Sequence, residues 1–283
     1  MNPDTRGALY LTVAVASLTV ASAIIKHLAA DLPVAVVVFF RHLAATLCFL
    51  PMVARSGFGL LRTENLPGHV WRATLGYTSF MAFAYALERL LLADAIALSY
   101  TAPLWSTLLA AVILREAVSR GRILALVAGL LGVVLIARPA GQFEPASLVA
   151  VAGAACTSLA MLAVKQLSRT EPPERIAFYF MAIGSVLSAV PAAFAWRTPA
   201  VSAVPWFVAI GVLSWLGQIC LSRGYAIGQF SRMALVDLLR LPFSLLLGLA
   251  VFGEVPDLLA AAGMALIGAA SVYTVIEGRR RSG

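Results

Sequence analysis

Apolar runs of roughly membrane-crossing length follow one another along the whole chain, separated by short stretches that hold the prolines, glycines and charges. A helix needs about 20 mostly apolar residues to cross a bilayer, because each residue advances about 1.5 Å through about 30 Å of hydrocarbon. Ten segments satisfy that pattern: 8–28, 33–54, 70–87, 95–114 and 123–137, then 147–165, 176–195, 206–226, 233–252 and 258–276. The loops between them are too short for a soluble domain, so the chain reads as one all-α membrane domain. Nine spans is the alternative count, should the region 238–255 merge with its neighbours. The Ala21-Ser22-Ala23 triplet resembles a leader cleavage site, but the apolar run continues past it to Ala30, and the first segment is expected to stay.

The basic residues give the chain a direction. With the first residue placed inside and the loops alternating, fifteen Lys and Arg fall inside and four, Lys26, Arg89, Arg138 and Arg197, fall outside. Arg41 and Arg240 remain within the spans. Positive charge is retained on the cytoplasmic face, so both termini are expected in the cytoplasm.

Spans four and nine carry a common pattern. The first reads Thr101-Ala102-Pro103-Leu104-Trp105 and ends at Arg115-Glu116; the second reads Arg240-Leu241-Pro242-Phe243-Ser244 and ends at Gly253-Glu254. Each Glu precedes a glycine-bearing span, with Gly129 and Gly132 in the fifth and Gly263 and Gly268 in the tenth. A unit of five spans is odd, so its second copy enters the membrane inverted. The expected architecture is two inverted five-helix repeats, 1–140 and 141–283, around a central cavity. That is a transporter layout, with the solute held near the midplane between the copies.

Candidate site residues are those that lipid would penalise. A central arginine costs about 2.5–3.5 kcal/mol on insertion scales, so it should face a polar interior. Arg41 has two readings, a counter-charge for a carboxylate or phosphate on the solute, or a structural lock. Asp237 and Arg240 stand three apart on span nine and share a face, either as a gate with Asp237 a proton site or as a self-satisfied ion pair. Pro103 and Pro242 lack the helical donor and free carbonyls one turn earlier, which is tolerated where backbone lines a cavity. Thr101 and Trp105 lie at i, i+4 beside Pro103; Tyr77 lies in span three; Trp215 and Gln218 lie at i, i+3 in span eight. Rings with a few polar tips suit a small, partly apolar organic solute. The bland alternatives are helix packing for the small polar residues and an interfacial belt for the aromatics. Lys26, His27 and Lys165 sit near span ends, where they can snorkel. Arg41, Tyr77, Thr101, Trp105, Trp215, Gln218 and Arg240 are therefore the expected solute contacts, with Asp237, Pro103 and Pro242 in gating or coupling.

Composition removes competing classes. Of 283 residues 61% are hydrophobic and 12% charged, against about 25% charged in soluble domains. The net charge of +8 lies in loops, not on one soluble face, so nucleic acid is not an expected partner. Cys48, Cys156 and Cys220 form neither a disulfide framework nor a metal set, and no HExxH, GxSxG or P-loop pattern is present. No catalytic residue, metal or cofactor is expected. The alternatives to a secondary transporter are a channel or a non-transporting membrane enzyme. The expected partners are a small-molecule substrate and the lipid bilayer, with the chain a monomer or homodimer.

Phe39-Phe40-Arg41, the run Tyr100-Thr101-Ala102-Pro103-Leu104, Leu239-Arg240-Leu241-Pro242 and Phe252-Gly253-Glu254-Val255-Pro256-Asp257 are similar to the EamA-type members of the drug/metabolite transporter superfamily. The resemblance covers essentially the whole chain, and the order and spacing of the motifs carry it. It implies ten helices, alternating access, a cavity lined by spans one to four and six to nine, and peripheral spans five and ten whose glycines serve close packing. Where the family pattern has Gly-Glu, the first half here has Arg115-Glu116, which puts that turn in doubt. Members import or export amino acids, S-adenosylmethionine, riboflavin and other metabolites in the bacterial inner membrane, and the layout is most similar to the S-adenosylmethionine uptake branch.

Overall fold

A computed structural model describes residues 3–56, 59–105, 108, 120–137, 144–227, 233 and 236–280. Among them there is no strand. The helices are α1 (Pro3–Ala29), α2 (Val34–Arg55), α3 (Leu66–Arg89), α4 (Leu92–Ser99), α5 (Arg120–Ile136), α6 (Pro145–Leu167), α7 (Pro173–Phe194), α8 (Val204–Ile227), α9 (Arg240–Phe252) and α10 (Leu258–Arg280). Five stretches, Thr5–Ala29, Val34–Arg55, Pro145–Val164, Pro173–Phe194 and Val201–Tyr225, are long and apolar enough to cross a membrane, and Ile123–Ile136, Arg240–Phe252 and Leu258–Tyr273 are shorter apolar helices. The outer surface is dressed with large apolar side chains such as Leu124, Val186, Phe194, Val201 and Leu258, the dress of a molecule whose solvent is lipid. The chain is a multi-pass membrane protein.

Caps mark the ends of these helices. Asn65 accepts from the Gly68 N–H at 3.0 Å to start α3, and Glu144 accepts from Ala146 at 3.3 Å to start α6. Gly253 stops α9 in the left-handed region at φ 65°, where a side chain would be strained. The chain then doubles back, and the Glu254 N–H donates to the Gly248 carbonyl at 3.1 Å. The corresponding turn at Arg115-Glu116 lies outside the described residues, as do Ser106, Thr107 and Arg138.

The helices pack in pairs drawn from opposite halves: α1 on α8, α3 on α6, α5 on α10, α2 on α7 and α4 on α9. Exchanging the halves returns the same set of pairs. Small residues permit the approach, as is usual between membrane helices. A Cβ on Gly132 would stand 2.7 Å from the Gly263 carbonyl oxygen, and one on Gly263 2.7 Å from that of Gly132. Gly129 is filled by Leu104 and Gly184 by His42, whereas Gly268 leaves only ordinary contact with Leu241. Hydroxyl pairs stitch two of the seams, Thr46 to Ser185 at 3.1 Å and Ser79 to Thr157 at 2.5 Å.

Spans four and nine are interrupted near their prolines. α4 stops at Ser99, a turn occupies Tyr100 and Thr101, and helix resumes at Ala102. In the second half a turn at Leu238 and Leu239 precedes α9. Pro103 and Pro242 therefore sit in the first turn after a break, not inside a helix. At that position the missing N–H has no helical partner to lose.

Candidate functional site

The breaks shift their hydrogen bonds from i+4 to i+3. The Leu104 N–H donates to Thr101 at 2.9 Å and the Leu241 N–H to Leu238 at 3.0 Å, which releases the carbonyls of Tyr100 and Asp237. A released carbonyl at membrane depth needs a donor. The Tyr100 hydroxyl donates to the Asp237 carbonyl at 2.6 Å, and the Ser271 hydroxyl of α10 donates to the Tyr100 carbonyl at 2.7 Å. The break in each half is thus satisfied by a side chain of the other half.

Two arginines, one of them next to the second break, lie on aromatic rings. Arg41 is 2% exposed, and its guanidinium carbon is 3.7 Å from the centre of the Phe80 ring. Arg240 is 5.8 Å from the Phe83 ring and donates to Ser22 at 3.3 Å. Phe80 and Phe83 are themselves 6.1 Å apart on α3, so one face of α3 carries both cations, and the charge of Arg240 is within electrostatic reach of Arg41. Among the described residues no carboxylate stands within 4 Å of either guanidinium. The charge of Asp237 is felt by Arg240 without a direct ion pair. A desolvated cation on a ring gains about 2 kcal/mol, and a buried charge with no partner costs more than that. The wall is short of negative charge.

His42 is the residue that sequence reasoning missed. Its Nδ1 lies 2.9 Å from the Val38 carbonyl and its Nε2 3.2 Å from Arg41 Nη1. A guanidinium only donates, so Nε2 accepts, and the proton on Nδ1 goes to Val38. Edge contacts with Tyr77, Phe80 and Phe180, at 6.1, 5.6 and 5.7 Å, hold the ring. The available signal was a second ionisable group next to Arg41 in one span. Arg72 repeats the motif, 4.0 Å from the Phe180 ring.

The expected site residues therefore divide. Arg41, Tyr77 and Arg240 gather along one wall, and Trp105 packs against the same core. Thr101 is buried, with its hydroxyl turned back to the Leu98 carbonyl at 2.8 Å. Trp215 belongs to a separate core group, 6.4 Å from Phe49, with its indole N–H unpartnered. Gln218 is half-buried one turn further along α8. Lys26 does not snorkel: its Nζ pairs with Glu254 Oε1 at 2.7 Å and donates to the Leu90 carbonyl.

The two ends of the bundle differ. At one end Glu254 joins α9 to α1 through Lys26 and accepts from the Leu92 N–H at 2.7 Å, at the start of α4. At the other, Glu171 accepts from Thr63 at 2.5 Å and pairs with Arg175 at 2.5 Å, and Arg175 reaches the Gly59 carbonyl at 2.8 Å. Burial pushes the Glu171 carboxyl up, but Thr63 and Arg175 outweigh it and hold it below the ordinary carboxylate range. An open cleft of about 470 Å³, lined by Leu61, Arg62, Thr63, Glu64, Thr170, Glu171 and Arg175, lies at this end and not at the arginine wall.

The profile of the EamA-like transporter family matches residues 5–138 and again 145–276. The chain belongs to the EamA-like transporter family. It is 31% identical over 268 residues to the pseudopaline exporter CntI of Pseudomonas aeruginosa, covering 92% of this chain and 93% of the exporter. A riboflavin transporter of Brucella anthropi is 29% identical over 86% of this chain and 88% of its own length. An S-adenosylmethionine uptake transporter of Rickettsia bellii is 24% identical over 90% and 88%. A solved crystal structure superposes with a TM-score of 0.68 at 21% identity, covering 99% of this chain and all of that one; it speaks for the fold. These relatives bear transporter names, not enzyme names, and the EamA chain described here is a transporter.

Proposed function

We propose that this transporter moves a small organic metabolite, carrying a carboxylate or similar anionic group on a partly apolar body, across the inner membrane by alternating access. Ten spans form two inverted repeats, 1–140 and 141–283, with both termini cytoplasmic. The observation that carries the reading is the pair of helix breaks, at matching places in the two halves, together with a buried arginine, Arg41, and a half-buried one, Arg240, that have no carboxylate within 4 Å among the described residues. Broken helices in corresponding positions are the backbone device by which transporters bind at the midplane. Arg41 and Arg240 supply the counter-charge, and Tyr77 and Trp105, with Phe80 and Phe83, the stacking surface. Thr101, Trp215 and Gln218 complete the wall when the halves rock, with Pro103, Pro242 and Asp237 at the moving joints.

Support for inversion comes from which ends meet. The last turn of α1 meets the end of α3 through Lys26 and Leu90, while the end of α6 meets the start of α3 through Glu171 and Thr63. α1 and α6 then run in opposite senses. The named solutes of the relatives support a small organic metabolite. The test is a thermal-shift screen of metabolites followed by uptake into liposomes, since a ligand that binds the folded state raises its stability with occupancy. Anionic aromatic or heterocyclic solutes are expected to stabilise the protein and to enter saturably, with Arg41→Ala abolishing both effects. Flux that never saturates, or binding indifferent to Arg41, would overturn the proposal.

A further inference from the structure

The end of the bundle closed by Glu254 holds a carboxyl group that the transport reading does not use. Asp94 lies in the first turn of α4, before the apolar span that begins at 95. It is 5% exposed, and its Oδ1 is fully buried with no hydrogen-bond partner. The charges that reach it are Asp257, Glu254 and Lys26. Lys26 is committed elsewhere, to Glu254 at 2.7 Å and to the Leu90 carbonyl. Asp257 caps α10 by accepting from the Ala260 N–H at 2.7 Å. Among the described residues, no other charged group on the helices packed against α4 is among those that reach it. Glu88 and Arg89 of α3 pair with each other at 2.7 Å, Glu144 caps α6, and Arg120 of α5 begins that helix at the far end.

We infer that Asp94 is a proton-binding site of this outer latch, protonated while Lys26 grips Glu254 and ionised once that grip opens. The inference rests on the proposed sidedness, which puts the latch outside. In the closed arrangement an ionised Asp94 would be a buried anion within reach of two other carboxylates, with Lys26, the one cation that reaches it among the described residues, taken. Burial first, and then Asp257 and Glu254, push its carboxyl up to about 7, with Lys26 opposing. A neutral carboxyl removes that cost, and a proton needs no cavity. When the latch opens, water reaches the site and Lys26 is freed. The Asp94 O–H bond then breaks, its electron pair stays on the carboxylate, and the proton passes to water. Acid outside therefore favours the closed mouth, and the site makes opening and proton release one event.

The test uses the full chain in liposomes. Infrared difference spectra between mildly acid and mildly alkaline pH, with ¹³C-labelled aspartate, should show one protonated aspartate carboxyl titrating near neutrality. Asp94→Asn should remove that band and Asp237→Asn should leave it. Spin labels at Glu88 and Val255, in a background free of Cys48, Cys156 and Cys220, read the width of the mouth. The closed-to-open ratio should fall with rising pH by up to ~tenfold per unit, and Asp94→Asn should hold it high throughout. Absence of the band from the unsubstituted protein, or an unchanged pH response in Asp94→Asn, would overturn the inference. Neither measurement needs the solute, so failure here leaves the transport proposal standing, and failure of that proposal leaves the proton band to be found or not.

Discussion

Substituting Lys26 and Glu254 separately and together measures how strongly the end of the bundle closed by Glu254 is held. The carboxylate of Glu254 has two engagements of 2.7 Å, one oxygen on Lys26 Nζ and the other on the Leu92 N–H. The two side chains are 16% and 11% exposed, so solvent screens the pair weakly. Losing one member of a fully buried pair costs about 3–5 kcal/mol because the other is left charged, whereas exposed pairs contribute about 0–1 kcal/mol. This pair is nearer the buried limit, and each single substitution, Lys26→Met or Glu254→Gln, should cost about 2–4 kcal/mol. The double variant leaves no orphan charge, and its cost should fall short of the sum of the singles by about 2 kcal/mol. The assay is reversible unfolding in mixed micelles, read by tryptophan fluorescence. Additivity within about 0.5 kcal/mol would show that the two groups do not depend on each other, and the latch would not exist as described.

Three further expectations follow from packing and chemistry. Gly132→Ala should destabilise by about 1–3 kcal/mol in the same assay, because the added methyl meets the backbone carbonyl of Gly263 and not a side chain that can turn away. Tyr100→Phe strips the donor from the Asp237 carbonyl and should cost about 1–3 kcal/mol; a neutral result would mean that water replaces it. For Arg41, alanine should lower flux at least tenfold, and lysine should restore part of it with folded yield unchanged. Equal loss of yield in both variants would mark Arg41 as a lock.

Much of this was legible because lipid enforces simple rules. The helices could be read from apolar runs, and the resemblance to EamA-type members implied close packing at Gly132 and Gly263. Arg41 and Arg240 stood out because a charge in a span needs a reason. The breaks at Tyr100-Thr101 and Leu238-Leu239 were only half visible: Pro103 and Pro242 marked the places, but a proline alone does not say whether a helix bends, stops or starts. Lys26 was read as snorkelling, since its partner Glu254 is far away in sequence and no local pattern joins them. Nothing local singles out Asp94 either. Trp215 was placed by helical spacing, which fixes a face but does not name the neighbour it meets in this arrangement, Phe49.

The pairing of every described helix of the first half with one of the second bears on how the chain is made. The partner of α5 is α10, which leaves the ribosome long after it. The first half must therefore wait in the bilayer with Gly132 and the breaks unfilled until the second half arrives, and α1 waits similarly for α8. Insertion and folding are consequently separate events in time. A chain severed between 138 and 143 should still assemble from two fragments made together, while either fragment made alone should be a substrate for membrane proteases.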